Sequence, residues 1–201
     1  GIRVKLEDLV RSNRFLSNAL RFQSSGRHIF KVEAFEGSPI LKSPPLIMFF
    51  ARAWDPSSFS NWSPEREQER ADINQQRAQC IRVLRREFGK QFVGGLASSE
   101  FTVRNFPDCV VDSQFTRKDR YIRKLRQADI CIATSGLDGS IGWKFAEYVA
   151  NSKAIVSEPL NYEVPGNLTE GKNYLSFVTT HEGVDAVSAL FDDQSRRYQM
   201  M

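Results

Sequence analysis

Six consecutive apolar residues, Leu46-Ile47-Met48-Phe49-Phe50-Ala51, have strand length and no polar alternation. A strand of that kind must be covered on both faces, which is the environment of a parallel strand in an α/β domain. The segments that follow alternate in type. Asp72 to Phe88 carries Ile73, Arg77, Cys80, Ile81, Leu84 and Phe88 at helical spacing, and Gly89 stops it. Gln91 to Leu96 reads as the next strand and Cys109 to Val111 as a short one. Arg117 to Gln127 reads as a helix leading into a strand over Asp129 to Ala133. A helix from near Trp143, strands over Lys153 to Ser157 and near Tyr174 to Val178, and a closing helix from about His181 to Phe191 complete the series. This order predicts an α/β, Rossmann-like, open and mostly parallel sheet with helices on both faces, because right-handed crossovers put helices there.

A short helix and strand precede that domain. Leu6, Leu9, Val10, Leu16 and Leu20 recur at near-helical spacing between Lys5 and Phe22, and His28 to Ala34 alternates loosely. Pro, Gly and Ser mark residues 37–45 as a linker, which divides the chain into an N-terminal segment, 1–45, and a main domain, 46–201. Trp54 to Glu69 reads as a long polar loop. The chain starts at Gly1 rather than Met, as a piece of a longer protein would.

Charge and cysteine usage narrow the setting. The 28 Lys and Arg against 24 Asp and Glu give a net charge of +4, concentrated in Arg82 to Arg86 and Arg117 to Arg126. Both blocks follow helical apolar patterns and read first as solvated helix faces, with nucleic acid binding the other reading; no basic tail or zinc-type Cys/His spacing supports it, and nucleic acid is not expected as a partner. Cys80, Cys109 and Cys131 are odd in number and widely spaced, which predicts buried thiols in a reducing, cytoplasmic compartment. No apolar run approaches the roughly 20 residues of a membrane span, so membrane contact is expected to be peripheral at most.

Open α/β sheets bind ligands beyond the carboxyl ends of their strands. The residues placed there by this reading are Arg52, Gly94-Gly95, Ser135 to Gly142 and the loop beginning at Glu158. In the loop from Ser135, Gly136, Gly139, Ser140, Ile141 and Gly142 precede the helix at Trp143, whose first N–H groups would face an anion such as phosphate. A purely structural turn is the alternative. Lys144 and Glu147 stand three apart on that helix: the cation could balance diphosphate charge and the carboxylate could accept from a ribose diol, or the two could form a surface ion pair. Glu158 faces the same mouth and could touch ligand hydroxyls.

The segment from Tyr121 to Asp193 resembles the C-terminal, donor-binding domain of two-domain, GT-B type "group 1" glycosyltransferases. The matching features are Ala128-Asp129-Ile130, Gly142, Lys144, Glu147, Ala150, Ala154-Ile155-Val156 and Gly171-Lys172-Asn173, with Arg52 closing the first strand. The resemblance implies a nucleotide-diphosphate-sugar donor and an unknown glycan, lipid or small-molecule acceptor. It further implies Arg52 and Lys144 as the groups that stabilise the departing diphosphate, Glu147 as the ribose ligand, and a phosphate cradle around Ser140 to Trp143. No metal or cofactor is required, and polysaccharide biosynthesis is the implied setting. It also implies an N-terminal acceptor-binding domain, which residues 1–45 are too few to form, so that either that domain is missing from this chain or the chain only binds a nucleotide sugar. The chain has Gly139 where many such enzymes carry a further glutamate, so donor-sugar contacts do not carry over. A non-catalytic nucleotide- or phosphosugar-binding module is the alternative reading.

Other residues read as structural. His28 and His181 are assigned to element ends, Trp54 and Trp62 to loop anchoring, and Ser135 has no His/Asp companions for a triad.

Overall fold

The computed structural model describes residues 32–58 and 63–201. The expected helix over 5–22, His28 and Trp62 lie outside these residues. The chain forms two compact units, Gly1–Ala34 and Phe35–Met201. Of the first, only Val32–Ala34 is described; it is a 3-10 turn, not the end of a strand.

In the second unit the strands are β1 (Ile47–Ala51), β2 (Phe92–Ala97), β3 (Val110–Val111), β4 (Ile130–Ala133), β5 (Ala154–Ser157) and β6 (Tyr174–Ser176). They form one sheet in the order β3-β2-β1-β4-β5-β6, and every pairing is parallel. The helices are α1 (Pro64–Phe88), α2 (Glu100–Asn105), α3 (Ser113–Thr116), α4 (Lys118–Gln127), α5 (Trp143–Ala150), α6 (Thr180–Asp192) and α7 (Gln194–Gln199).

The apolar run explains the layers. Ile47, Phe49 and Ala51 join a core with Ile81, Leu84, Val187 and Leu190 from α1 and α6. The alternate residue Phe50 turns the other way and meets Tyr121 of α4 edge-on, at 6.2 Å between ring centroids. All five β1 residues are buried, as a strand covered on both faces requires.

Three expectations need correction. First, α1 begins at Pro64, inside the expected loop. Ser63 precedes it, Pro64 takes a position where its missing N–H costs nothing, and Glu65 and Glu67 sit in the first turn. Those turns hold no apolar stripe, so periodicity could not show them. Second, Gly94 and Gly95 lie within β2 rather than beyond its end. A Cβ at Gly94 would meet the Phe49 carbonyl oxygen at 2.0 Å, so glycine serves close strand approach there. Third, α2, α3 and α7 were unexpected; each is six residues or fewer.

The stretch before β1 is held firmly. The buried Asp129 carboxylate accepts from Lys42 N at 2.7 Å and Leu46 N at 2.9 Å, while buried Arg197 donates to the Lys42 carbonyl at 3.1 Å. Cys80, Cys109 and Cys131 are free and buried, and among the described residues no helix is long and apolar enough to cross a membrane.

Candidate functional site

The strand order reverses between β1 and β4, and beyond the carboxyl ends of strands at such a reversal is where the crevice of an open α/β sheet lies. Arg52 leaves β1 there. Its side chain is exposed and makes no ion pair or hydrogen bond among the described residues.

Past β4 the chain makes a closed turn. Gly136 N donates to the Ser140 carbonyl at 2.7 Å, Ser140 N to that of Leu137 at 3.1 Å, and Asp138 N to Glu69 Oε1 at 2.7 Å. Gly139 has φ +65°, a conformation that L side chains rarely adopt. Gly136, Gly139 and Ser140 therefore shape the loop. The N–H groups of Ile141, Gly142, Trp143 and Lys144 have no protein acceptor among the described residues, and they open α5. Trp143 beside them is 88% exposed.

Lys144 stands among cations. Burial lowers its pKa from the usual 10.5 to about 8; Glu147 opposes that shift, and Arg77, Arg52 and Lys118 add to it by like-charge repulsion. Glu147 is engaged. Lys118 at the start of α4 donates to its Oε1, while its Oε2, buried, lies beside the Tyr121 and Tyr148 phenols. Lys118 and Lys144 Nζ lie 5.1 and 5.8 Å from the Tyr121 ring centre. A ribose would therefore have to draw Glu147 away from Lys118. Glu158, past β5, accepts from Ser135 N and ties the β4 and β5 loops together.

Arg77 was passed over as one more helix position. It is 6% exposed, and its guanidinium donates to Thr134 Oγ1 at 2.9 Å, the Arg52 carbonyl at 2.7 Å and the Ser135 carbonyl at 2.8 Å, beneath the Trp54 ring at 4.5 Å. Arg70 and Asn74 precede it on the same face of α1. Arg70 donates to the Asp55 carbonyl, and Asn74 exchanges two hydrogen bonds with the Trp54 backbone. In the sequence, polar residues at i, i+4 and i+7 read as a solvated face; only the fold shows Arg70, Asn74 and Arg77 buried.

An open depression of about 770 Å³ lies at the ends of β4 and β5, lined by Ser135, Gly136, Gly139 and Glu158 with Glu65, Glu69 and Asp72 of α1, which make that wall acidic. Among the described residues no group of three or more His, Cys, Asp or Glu could hold a metal ion.

No family model matches the chain, and no curated protein does. A solved structure does: the C-terminal domain of a glycosyl transferase group 1 family protein (LpcC) from Francisella tularensis. It superposes with a TM-score of 0.54 over 86% of this chain and 92% of that one, at 10% sequence identity. The fold is GT-B-like. At that identity the likeness to a glycosyltransferase domain concerns architecture, the all-parallel Rossmann-like sheet. The chemistry of a GT-B-like domain must be argued from its own residues.

Proposed function

We propose that the chain is the donor-binding domain of a nucleotide-sugar glycosyltransferase. One observation carries this reading: close to the point where the strand order reverses, the first N–H groups of α5 have no protein acceptor among the described residues, and Lys144 in the first turn of that helix lies within electrostatic reach of Arg52. A diphosphate is the ligand whose two charges suit two cations and a helix amino end. As the bond between sugar and diphosphate breaks, negative charge builds on the leaving oxygen, and the same groups stabilise it. Glu147, released from Lys118, would take the ribose hydroxyls. Ile141, Gly142 and Trp143 supply backbone donors, while Gly136, Gly139, Ser140 and Glu158 hold the loop in shape. The acceptor would approach from outside this domain.

The test is titration calorimetry with nucleoside diphosphates on the wild type and Arg52→Ala. Loss of one charge-assisted contact, worth about 1.5–3 kcal/mol, should weaken binding roughly 10- to 100-fold. No binding to the wild type, or equal binding to the variant, overturns the reading.

A further inference from the structure

Arg77 is buried and spends its guanidinium on three protein acceptors, and through them it grips both backbone ends from which the proposed diphosphate contacts project. Its three hydrogen bonds reach the residue after β1 and the two residues after β4, so one side chain spans the point where the strand order reverses. The Arg52 carbonyl it holds belongs to the residue that leaves β1 with an exposed side chain. The Ser135 carbonyl it holds begins the loop that leads to the amino end of α5. Trp54, itself fixed by Asn74, covers the guanidinium and keeps water from replacing it.

We propose that Arg77 is a positioning residue that fixes the spacing between Arg52 and the amino end of α5, and thereby tunes the crevice to a ligand with two phosphates rather than one. This rests on the donor reading given above. A monophosphate can be satisfied by the helix end alone, whereas a diphosphate needs both halves at one separation. Without Arg77 the halves are joined by the β1–β4 ladder, whose paired residues stop short of these loops, and through α1, where Asn74 holds Trp54 and Glu69 holds Asp138 N further along the glycine loop. Diphosphate preference should then fall while monophosphate binding persists.

The experiment compares wild type, Arg77→Lys and Arg77→Met, using UDP, GDP and ADP with the matching monophosphates, together with amide hydrogen exchange in the absence of nucleotide. In Arg77→Met the ratio of diphosphate to monophosphate affinity should fall about tenfold, the equivalent of one lost hydrogen bond, with the lysine variant between. Exchange at the Trp54 and Ser135 amides should quicken by about tenfold, while that at Ile155 in β5 stays unchanged. A merely structural role would lower both affinities alike and quicken exchange everywhere, and that result overturns the proposal. So does unchanged exchange at Trp54 and Ser135, or unfolding of both variants. Should the wild type bind none of the nucleotides, the donor reading falls, and the exchange pattern alone decides whether Arg77 fixes the two loops.

Discussion

Glu158 reaches across from the end of β5 to accept the backbone N–H of Ser135 at the end of β4. The bond anchors the first residue of the glycine loop from the neighbouring strand. Glu158→Ala leaves that N–H without its acceptor and should cost about 1–3 kcal/mol, whereas Glu158→Gln keeps an acceptor and should cost less. Urea unfolding of both variants checks the order. Equal losses would mean that the hydrogen bond is not what Glu158 contributes.

Lys144 gives the crevice a pH dependence. Its folded pKa, about 8, lies below the usual 10.5, chiefly through burial. Between those values the unfolded chain binds more protons than the folded one, so this group makes stability rise with pH across that window. Diphosphate binding favours the charged amine, so affinity should fall as pH rises through about 8, by up to roughly tenfold per unit. The second ionisation of a phosphate ester lies near pH 6 and does not interfere. Calorimetry from pH 7 to 9 in buffers of different ionisation heat should register proton uptake, and Lys144→Met should abolish it.

Asp129 is wholly buried and holds the segment before β1 through Lys42 N and Leu46 N. Asp129→Ala strands both donors and should cost about 2 kcal/mol or more. Asp129→Asn, with one acceptor oxygen retained, should recover part of it. Chemical denaturation measures the difference, and proteolysis within residues 35–46 should quicken in the alanine variant.

Gly94 pairs with Phe49 in the parallel ladder, where a Cβ would meet the Phe49 carbonyl oxygen. Gly94→Ala should destabilise by roughly 1–3 kcal/mol, because backbone must move to admit the methyl group. At Gly142 the nearest atom to an added Cβ is Thr134 O at 3.6 Å, ordinary contact distance, and Gly142→Ala should be nearly neutral. Melting temperatures of the two variants separate these outcomes.

Legibility followed the hydrophobic pattern. The buried strands β1, β4 and β5 and the amphipathic α4 and α6 were visible because their apolar residues are contiguous or recur at 3.6-residue spacing. The first turns of α1 were not, because PEREQERA carries no apolar stripe and is held by polar contacts from Arg70 and Asn74. Gly94 and Gly95 were misplaced for a related reason: a glycine that permits close strand approach and one that ends a strand look the same in one dimension.

Residue order by itself determined the alternation of strands and helices, the Rossmann-like class and the position of Lys144 and the glycine loop after β4. Local propensity and burial pattern act over a few neighbours, so a linear reading captures them. Only the tertiary structure decided that Lys118 closes on Glu147, that Glu158 holds Ser135, and that Arg77 binds the ends of β1 and β4 together. These pairs lie between 23 and 58 residues apart, and a buried polar group takes whichever partner the folded chain brings within reach.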